Sequence, residues 1–198
     1  MHLVLASASP RRADLLRVAG LEFTVAPVEC DESVHPGEHP IDYAERIARA
    51  KADLAAAHAR EHHPRAVLLT ADTTVWTSPE GGPIGKPEDR RAAAAILRAL
   101  IAAQPHRVTT AFALVDLRGR APRTVVHHST TEVWMRELGD AELEAYLDTD
   151  EWQGKAGGYG IQGRAAGFVR RIAGSYTTVV GLPLAEVLDA LTALEAHR

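Results

Sequence analysis

Ser7-Ala8-Ser9-Pro10-Arg11-Arg12 places two hydroxyls and two guanidinium groups within six residues. Ser9 suits a helix N-cap and Pro10 the first helical turn, so the local backbone is accounted for. The arginines are not, because two cations in a first turn oppose the positive end of the helix dipole unless an anion arrives there. Free backbone N–H groups, hydroxyls and a guanidinium fork together can receive a phosphate. A solvated first turn without a ligand explains the segment equally well. The run Lys155-Ala156-Gly157-Gly158-Tyr159-Gly160-Ile161-Gln162-Gly163 holds four glycines around one cation, one phenol and one amide. Such density of glycine predicts sharp turns or close approach to a bound molecule. Lys155 can meet an anion there, and Gln162 offers a donor and an acceptor on one planar head.

Asp72 follows the apolar run Val67-Leu68-Leu69 and sits between Ala71 and Thr73. In open α/β sheets ligands bind outside the carboxyl ends of strands, and a carboxylate there can hold Mg²⁺ or take a proton from water. Taken alone, a turn aspartate capping backbone N–H groups is the commoner situation. Its company of Glu32, Lys51, Lys86 and Lys155, each in a loop or on a helix beside a strand end, favours chemistry. Lys86, in Gly85-Lys86-Pro87, lacks the glycine spacing and following Ser or Thr of a P-loop, which rejects a Walker-type site. For Lys51, on a helix salted with Glu45, Arg46 and Arg49, the pattern by itself favours a solvated face. The ten histidines form no metal-binding helix motif and are read as surface residues. Ser7 and Ser9 lack a Gly-x-Ser-x-Gly elbow, which argues against a serine hydrolase.

These side chains must be carried by an alternation of elements. Leu3 to Ala6 predicts a strand, and Ala13, Leu15, Leu16 and Ala19 predict a helix stopped by Gly20. A second strand over Phe23 to Pro27 leads into a polar loop, Glu29 to Pro40, that carries Glu32. Asp42 to Glu61 is a long alanine-rich helix by propensity and period. Another helix is expected from Lys86-Pro87-Glu88-Asp89 to Ala103, with Pro87 near its first position. Arg107 to Leu117 and Thr124 to Arg136 form a hairpin, and Asp140 to Leu147 a short acidic helix. Phe168 to Ile172 and Tyr176 to Val180 read as strands, and Pro183 opens the last helix. Helix-linked strands followed by a hairpin predict an α/β chain with a mixed twisted sheet. No repeat or linker divides residues 1–198, which are read as a single domain.

Composition narrows the partners. A formal net charge of −4 and the absence of a basic stripe argue against nucleic acid and against an anionic membrane surface. A single cysteine, Cys30, excludes an intrachain disulfide and a multi-cysteine zinc site, and it suits a reducing compartment. Without an apolar run of bilayer-spanning length, a soluble cytoplasmic protein is expected.

Five ordered segments resemble the Maf family of nucleoside triphosphate pyrophosphatases. They are Ser7 to Arg12, Ala71-Asp72-Thr73, Gly85-Lys86-Pro87, Lys155 to Gly163, and Gly174-Ser175-Tyr176 through Val180-Gly181-Leu182-Pro183. The resemblance covers nearly the whole chain and implies hydrolysis of a nucleoside triphosphate between its α- and β-phosphates, assisted by Mg or Mn. It also implies an inosine-triphosphatase-like fold with two lobes around a cleft, a small-molecule partner and a homodimer. By position, Asp72 matches the proton acceptor, with Lys86 and Lys51 beside it in the catalytic set. Asp72 and Glu32 match carboxylates able to hold the metal, and Ser7, Ser9, Arg11 and Lys155 lie on the substrate side. Arg12, Thr73 and Gln162 match positions linked to base selection in the branch that prefers dTTP and UTP. Modified pyrimidines extend that branch. The sister branch acting on methylated guanine nucleotides and a non-catalytic nucleotide sensor of cell division are the alternatives.

Base choice by Gln162 requires its amide to be held, because an amide that flips freely meets cytosine as well as uracil. Neighbours in the glycine-rich loop are expected to hold it. Two departures stand out: Gly154 replaces the aspartate that commonly precedes the loop lysine, and no Ser-Gly precedes His106.

Overall fold

The computed structural model describes residues 1–196. Strand β1 (Leu3–Leu5) lies between β2 (Phe23–Val25) and β3 (Val67–Trp76) and runs parallel to both. The remaining strands, β4 (His106–Asp116), β5 (Arg123–Met135) and β6 (Val169–Ala173), continue the sheet antiparallel from β3. The order is β2-β1-β3-β4-β5-β6, so the chain is α/β with a mixed sheet. The helices are α1 (Pro10–Val18), α2 (Pro40–His62), α3 (Arg90–Ala102), α4 (Asp140–Leu147), α5 (Tyr176–Val180) and α6 (Leu184–Ala196). Among the described residues no helix is long and apolar enough to cross a membrane.

The period-2 alternation of strand side chains divides the core between the two faces of the sheet. Val4, Leu68, Ala113 and Val115 face α2, where Ala52, Ala55 and Ala59 let the helix lie close. Leu3, Leu5, Val67, Leu69 and Phe112 enter a larger cluster with Leu16 of α1, Leu97 of α3, Leu147 of α4 and Leu191 of α6. The strands differ in length, and that difference creates the cleft. β1 stops opposite Leu69, whereas β3 runs on to Trp76, so the edge of β3 is uncovered from Ala71 until Ile84 bridges to Val75.

Three expected elements are corrected. Asp72 does not lie in a turn after a three-residue strand, because the β-branched Thr70, Thr73, Thr74 and Val75 carry β3 straight through it. The helix expected from Lys86 begins only at Arg90, since Asp89 takes the N-cap and accepts the Ala92 N–H at 2.7 Å. Tyr176 to Val180 is helical despite its β-branched composition. Gly181 ends that turn at φ 127°, and the N–H groups of Gly181 and Leu182 return to the Thr177 carbonyl.

Candidate functional site

Strand alternation turns Asp72 toward α2 and Thr73 toward α1 and α5, and both flank the uncovered edge of β3. Lys51, on α2, donates to Asp72 Oδ1 at 2.8 Å and pairs with Glu32 Oε1 at 2.7 Å. Lys51 is only 9% exposed and Asp72 only 7%, so the expectation that Lys51 belongs to a solvated face is overturned. The charge pattern misled because Ala48 and Ala52, on the same helix, are core residues that draw the aliphatic stem inward. Lys86 reaches the other oxygen of Glu32 at 3.3 Å from an exposed position. The loop carrying Glu32 is tied to α2, with the Tyr43 hydroxyl donating to the Glu32 carbonyl at 3.0 Å and Arg46 donating to the Ser33 carbonyl at 2.9 Å.

Burial raises the Asp72 carboxyl above the ordinary aspartate value, against the opposing pull of Lys51 and then Arg12. Burial alone would lower Lys51, but Asp72 and Glu32 outweigh it and raise the ammonium. Burial also works to raise Glu32, yet Lys51 and Lys86 hold that carboxyl below its usual value. The two carboxylates thus differ in character. Glu32 stays ionised, while Asp72 is an acceptor whose affinity for a proton is enhanced.

Arg12 forms the opposite corner. Its Nε donates to the Gly181 carbonyl at 2.8 Å, Nη1 to Ser7 Oγ at 2.9 Å and Nη2 to Thr73 Oγ1 at 3.2 Å. Arg11 donates to the neighbouring Val180 carbonyl at 3.4 Å. Burial lowers the Arg12 guanidinium from its usual value, with Asp72 opposing, although an arginine stays charged. Ser9 caps α1 by position alone, without a side-chain bond, and its backbone N–H donates to Ser7 Oγ at 3.3 Å. The α5 segment that anchors both arginines is the part of the site that residue-type reasoning missed. Its signal was the glycine at position 181, whose left-handed φ ends α5 and brings the carbonyl to Arg12.

The glycine-rich loop forms the third wall, and its glycines make room for the protein itself. A Cβ on Gly157, at φ 72°, would lie 3.0 Å from Val75 Cγ2, and one on Gly160 would lie 2.8 Å from Lys155 Cε. Lys155 donates to the Glu151 carbonyl and sits beside Arg11, and burial followed by that arginine lowers its ammonium. Tyr159 is buried and its hydroxyl meets His106 Nε2 at 2.8 Å, which removes His106 from the expected set of surface histidines. Burial depresses His106 to about 4. Gln162 lines the cleft but is exposed, and among the described residues no hydrogen bond holds its amide, contrary to expectation. Gly154, also at the cleft, has φ 65° and open space where a Cβ would stand. Aspartate is one of the residues that tolerate that backbone region, so this departure leaves the loop path intact.

The cleft has a volume of about 580 Å³, and every predicted site residue lines it: Ser7, Ser9, Arg11, Arg12, Glu32, Lys51, Asp72, Thr73, Lys86, Lys155 and Gln162. Cys30 lines it as well. Among the described residues no group of three or more His, Cys, Asp or Glu side chains converges to cage a metal. Asp72 and Glu32 nevertheless fit a hard cation such as Mg²⁺, which takes one or two carboxylates and completes its shell with water and phosphate oxygens. Lys51 engages Oδ1 of Asp72, leaving Oδ2 for a cation or for the proton of a water.

Comparison with known proteins bears on this arrangement. The family described as "Maf-like protein" matches residues 2–194. A dTTP/UTP pyrophosphatase of Bordetella parapertussis is 50% identical, over 96% of this chain and 91% of the relative. One from Geobacter sp. (strain M21) is 44% identical, over 98% of this chain and 96% of the relative. A solved nucleoside-triphosphatase / dITP/XTP pyrophosphatase from Mycobacterium abscessus is 18% identical with a TM-score of 0.37, covering 75% of this chain and 95% of that one. That last likeness is too loose to bear on the fold.

Proposed function

The chain belongs to the Maf-like proteins, and we propose that it hydrolyses dTTP and UTP to the monophosphate and pyrophosphate. The observation that carries this reading is a buried carboxylate with raised proton affinity, Asp72, facing one cavity with Arg11, Arg12, Lys51, Lys86 and Lys155. Attack on a polyphosphate needs charge neutralisation on the phosphate oxygens and a positioned water. Arg11 and Lys155, half-buried, and Lys86, exposed, supply cations at the mouth. Ser7 Oγ already accepts from Arg12 and from the Ser9 N–H, so its remaining hydrogen is free to donate to a phosphate oxygen. Asp72 takes the proton of the attacking water at Oδ2, and Lys51 holds the carboxylate in place through Oδ1.

Glu32 would hold a divalent cation, Mg or Mn, and Asp72 would join it only through the Oδ2 that also serves as base, so the two roles alternate on that oxygen. When bound the cation neutralises charge on the phosphates and on the departing pyrophosphate. Release of Glu32 from Lys86 is the rearrangement this requires of the chain. The same reading places the protein in the cytoplasm and makes it a homodimer.

A panel of UTP, dTTP, CTP, ITP, GTP and methylated GTP, with Mg²⁺ or Mn²⁺ and pyrophosphate detection, tests the proposal. UTP and dTTP are expected to lead. Preference for a purine, or triphosphate binding without pyrophosphate release, overturns it.

A further inference from the structure

Behind Thr73 lies a buried chain of hydroxyl groups whose hydrogens can be counted. Thr73 and Thr110 face each other across β3 and β4, with their Oγ1 atoms 2.9 Å apart. Thr110 is fully buried, and its Oγ1 lies 2.8 Å from the Thr178 backbone carbonyl in α5. A carbonyl has no hydrogen to give, so Thr110 is the donor there, and a hydroxyl carries only one. Thr110 therefore has nothing left to donate to Thr73, and the hydrogen between the two threonines belongs to Thr73. With that hydrogen spent, Thr73 Oγ1 meets the cleft with lone pairs alone. One of them accepts Arg12 Nη2 at 3.2 Å.

The other end of the Arg12 fork is the reverse case. Ser7 Oγ takes two donors and keeps its hydrogen. One guanidinium thus spans a hydroxyl that can only donate to a ligand and a hydroxyl that can only accept. The first suits a phosphate oxygen. The second suits an N–H.

We propose that Thr110, braced by the Thr178 carbonyl, is a positioning residue that fixes the Thr73 hydroxyl as an obligate acceptor, so that the site selects pyrimidines bearing N3–H over cytosine. The inference rests on the pyrimidine triphosphate reading of the cleft. Uracil and thymine present N3–H to such an acceptor, whereas cytosine presents a lone pair at N3. Two lone pairs facing one another leave both groups unpaired, which weakens the hold on cytosine. Thr110 touches no substrate, because its side chain is fully buried between β4 and α5.

Turnover of UTP, dUTP and CTP by the full chain, as kcat and KM separately, tests the proposal in the wild type, Thr110→Val, Thr110→Ser and Thr73→Val. Thr110→Val frees the Thr73 hydrogen and is expected to narrow the UTP-to-CTP ratio of kcat/KM by about 10-fold or more. The conservative Thr110→Ser keeps the donor to Thr178 and is expected to keep the ratio. An unchanged ratio in Thr110→Val, with all substrates slowed alike, overturns the inference and leaves Thr110 a core residue. A changed UTP-to-dUTP ratio with an unchanged UTP-to-CTP ratio also overturns it, since Thr73 would then face the sugar. Should Thr110→Val fail to fold, an unchanged UTP-to-CTP ratio in Thr73→Val overturns it and a narrowed one sustains it. A wild type that releases pyrophosphate from no pyrimidine nucleotide overturns the underlying reading, a result distinct from a UTP-selective wild type whose ratio survives in Thr110→Val.

Discussion

Two walls of the same cleft are built on different physical terms. The wall of β3 and α2 holds Lys51 and Asp72 almost fully buried, each committed to a partner at 2.8 Å. The wall from Lys155 to Gly163 has a rigid back and a loose face: Gly157, Gly158 and Tyr159 are buried in the core, while Gln162 stands exposed and unheld among the described residues. Charges taken from water need fixed partners, because removing one leaves the other stranded. Recognition at an open rim does not. The difference is that the sheet fixes the buried charges in place, whereas the loop leaves Gln162 unheld at the rim.

The largest effect should come from the buried wall. Asp72→Asn keeps a hydrogen-bond acceptor for Lys51 but loses the base, and kcat should fall by about 10²–10⁴-fold. Pyrophosphate release at saturating UTP checks this, and full activity would remove Asp72 from the chemistry. In the cation-free protein Asp72 should take up its proton above the ordinary aspartate range, because burial raises this carboxyl, and an NMR titration without added Mg²⁺ or Mn²⁺ reads it. Next comes Lys51→Met, which leaves Asp72 buried without its cation and Glu32 without one of two. A loss of about 3–5 kcal/mol is expected, discounted toward the lower figure because Glu32 is partly exposed. Urea unfolding measures it. In that variant the cation-free titration of Asp72 should move to still higher pH, since the lysine that most opposes its protonation is gone.

The back of the loop wall has its own pH signature through His106. Burial lowers this imidazole from 6.5 to about 4, so the unfolded chain binds the proton first as pH falls. Stability should be complete above about 6.5, decline between that value and about 4, and level off below, by up to about 3 kcal/mol in all. Unfolding curves at pH 7 and pH 5 should diverge in the wild type and draw together in His106→Gln. A slope of the same size in both would assign the acid sensitivity elsewhere.

A pair of glycine substitutions separates packing from backbone strain within that same loop. Gly157→Ala meets a positive φ and a Val75 methyl at 3.0 Å, whereas Gly154→Ala meets a positive φ and open space. About 1 kcal/mol is expected for strain alone at position 154, and about 1–3 kcal/mol more at 157 for overpacking. Equal costs in thermal unfolding would show that the loop's back is softer than its burial implies.

How far the sequence carries this picture depends on whether a residue's environment is local. The hairpin of β4 and β5, helix α4 and most of α2 follow from period and turn chemistry, which neighbouring residues decide. The membership of the site follows from the resemblance, since residue types alone leave Ser7 to Arg12 evenly divided and favour a plain turn for Asp72 and a solvated face for Lys51. Burial was not legible. Lys51 has the neighbours of a surface residue, and only the fold of α2 over β3 places it between two carboxylates. His106 looked like one more histidine until Tyr159, 53 residues later, closed on it. The error at Tyr176 to Val180 has the same origin. β-Branched composition favours a strand only where a strand edge is available, and here that stretch is helical and its Thr178 carbonyl accepts from Thr110 instead.

The smallest expected effect lies at the rim and bears most directly on base choice. Sequence reasoning assigned discrimination to the Gln162 amide on condition that neighbours hold it, and that condition is unmet among the described residues. An amide free to turn offers its oxygen to one base and its NH₂ to another, so it adds affinity without preference. Gln162→Ala should therefore raise KM for UTP and CTP alike, by the roughly 2- to 12-fold that one hydrogen bond of about 0.5–1.5 kcal/mol represents. The ratio of kcat/KM between the two nucleotides should stay put. If the ratio collapses while KM for UTP alone rises, the loop reads the base and the distinction between a sheet that selects and a rim that adapts is wrong.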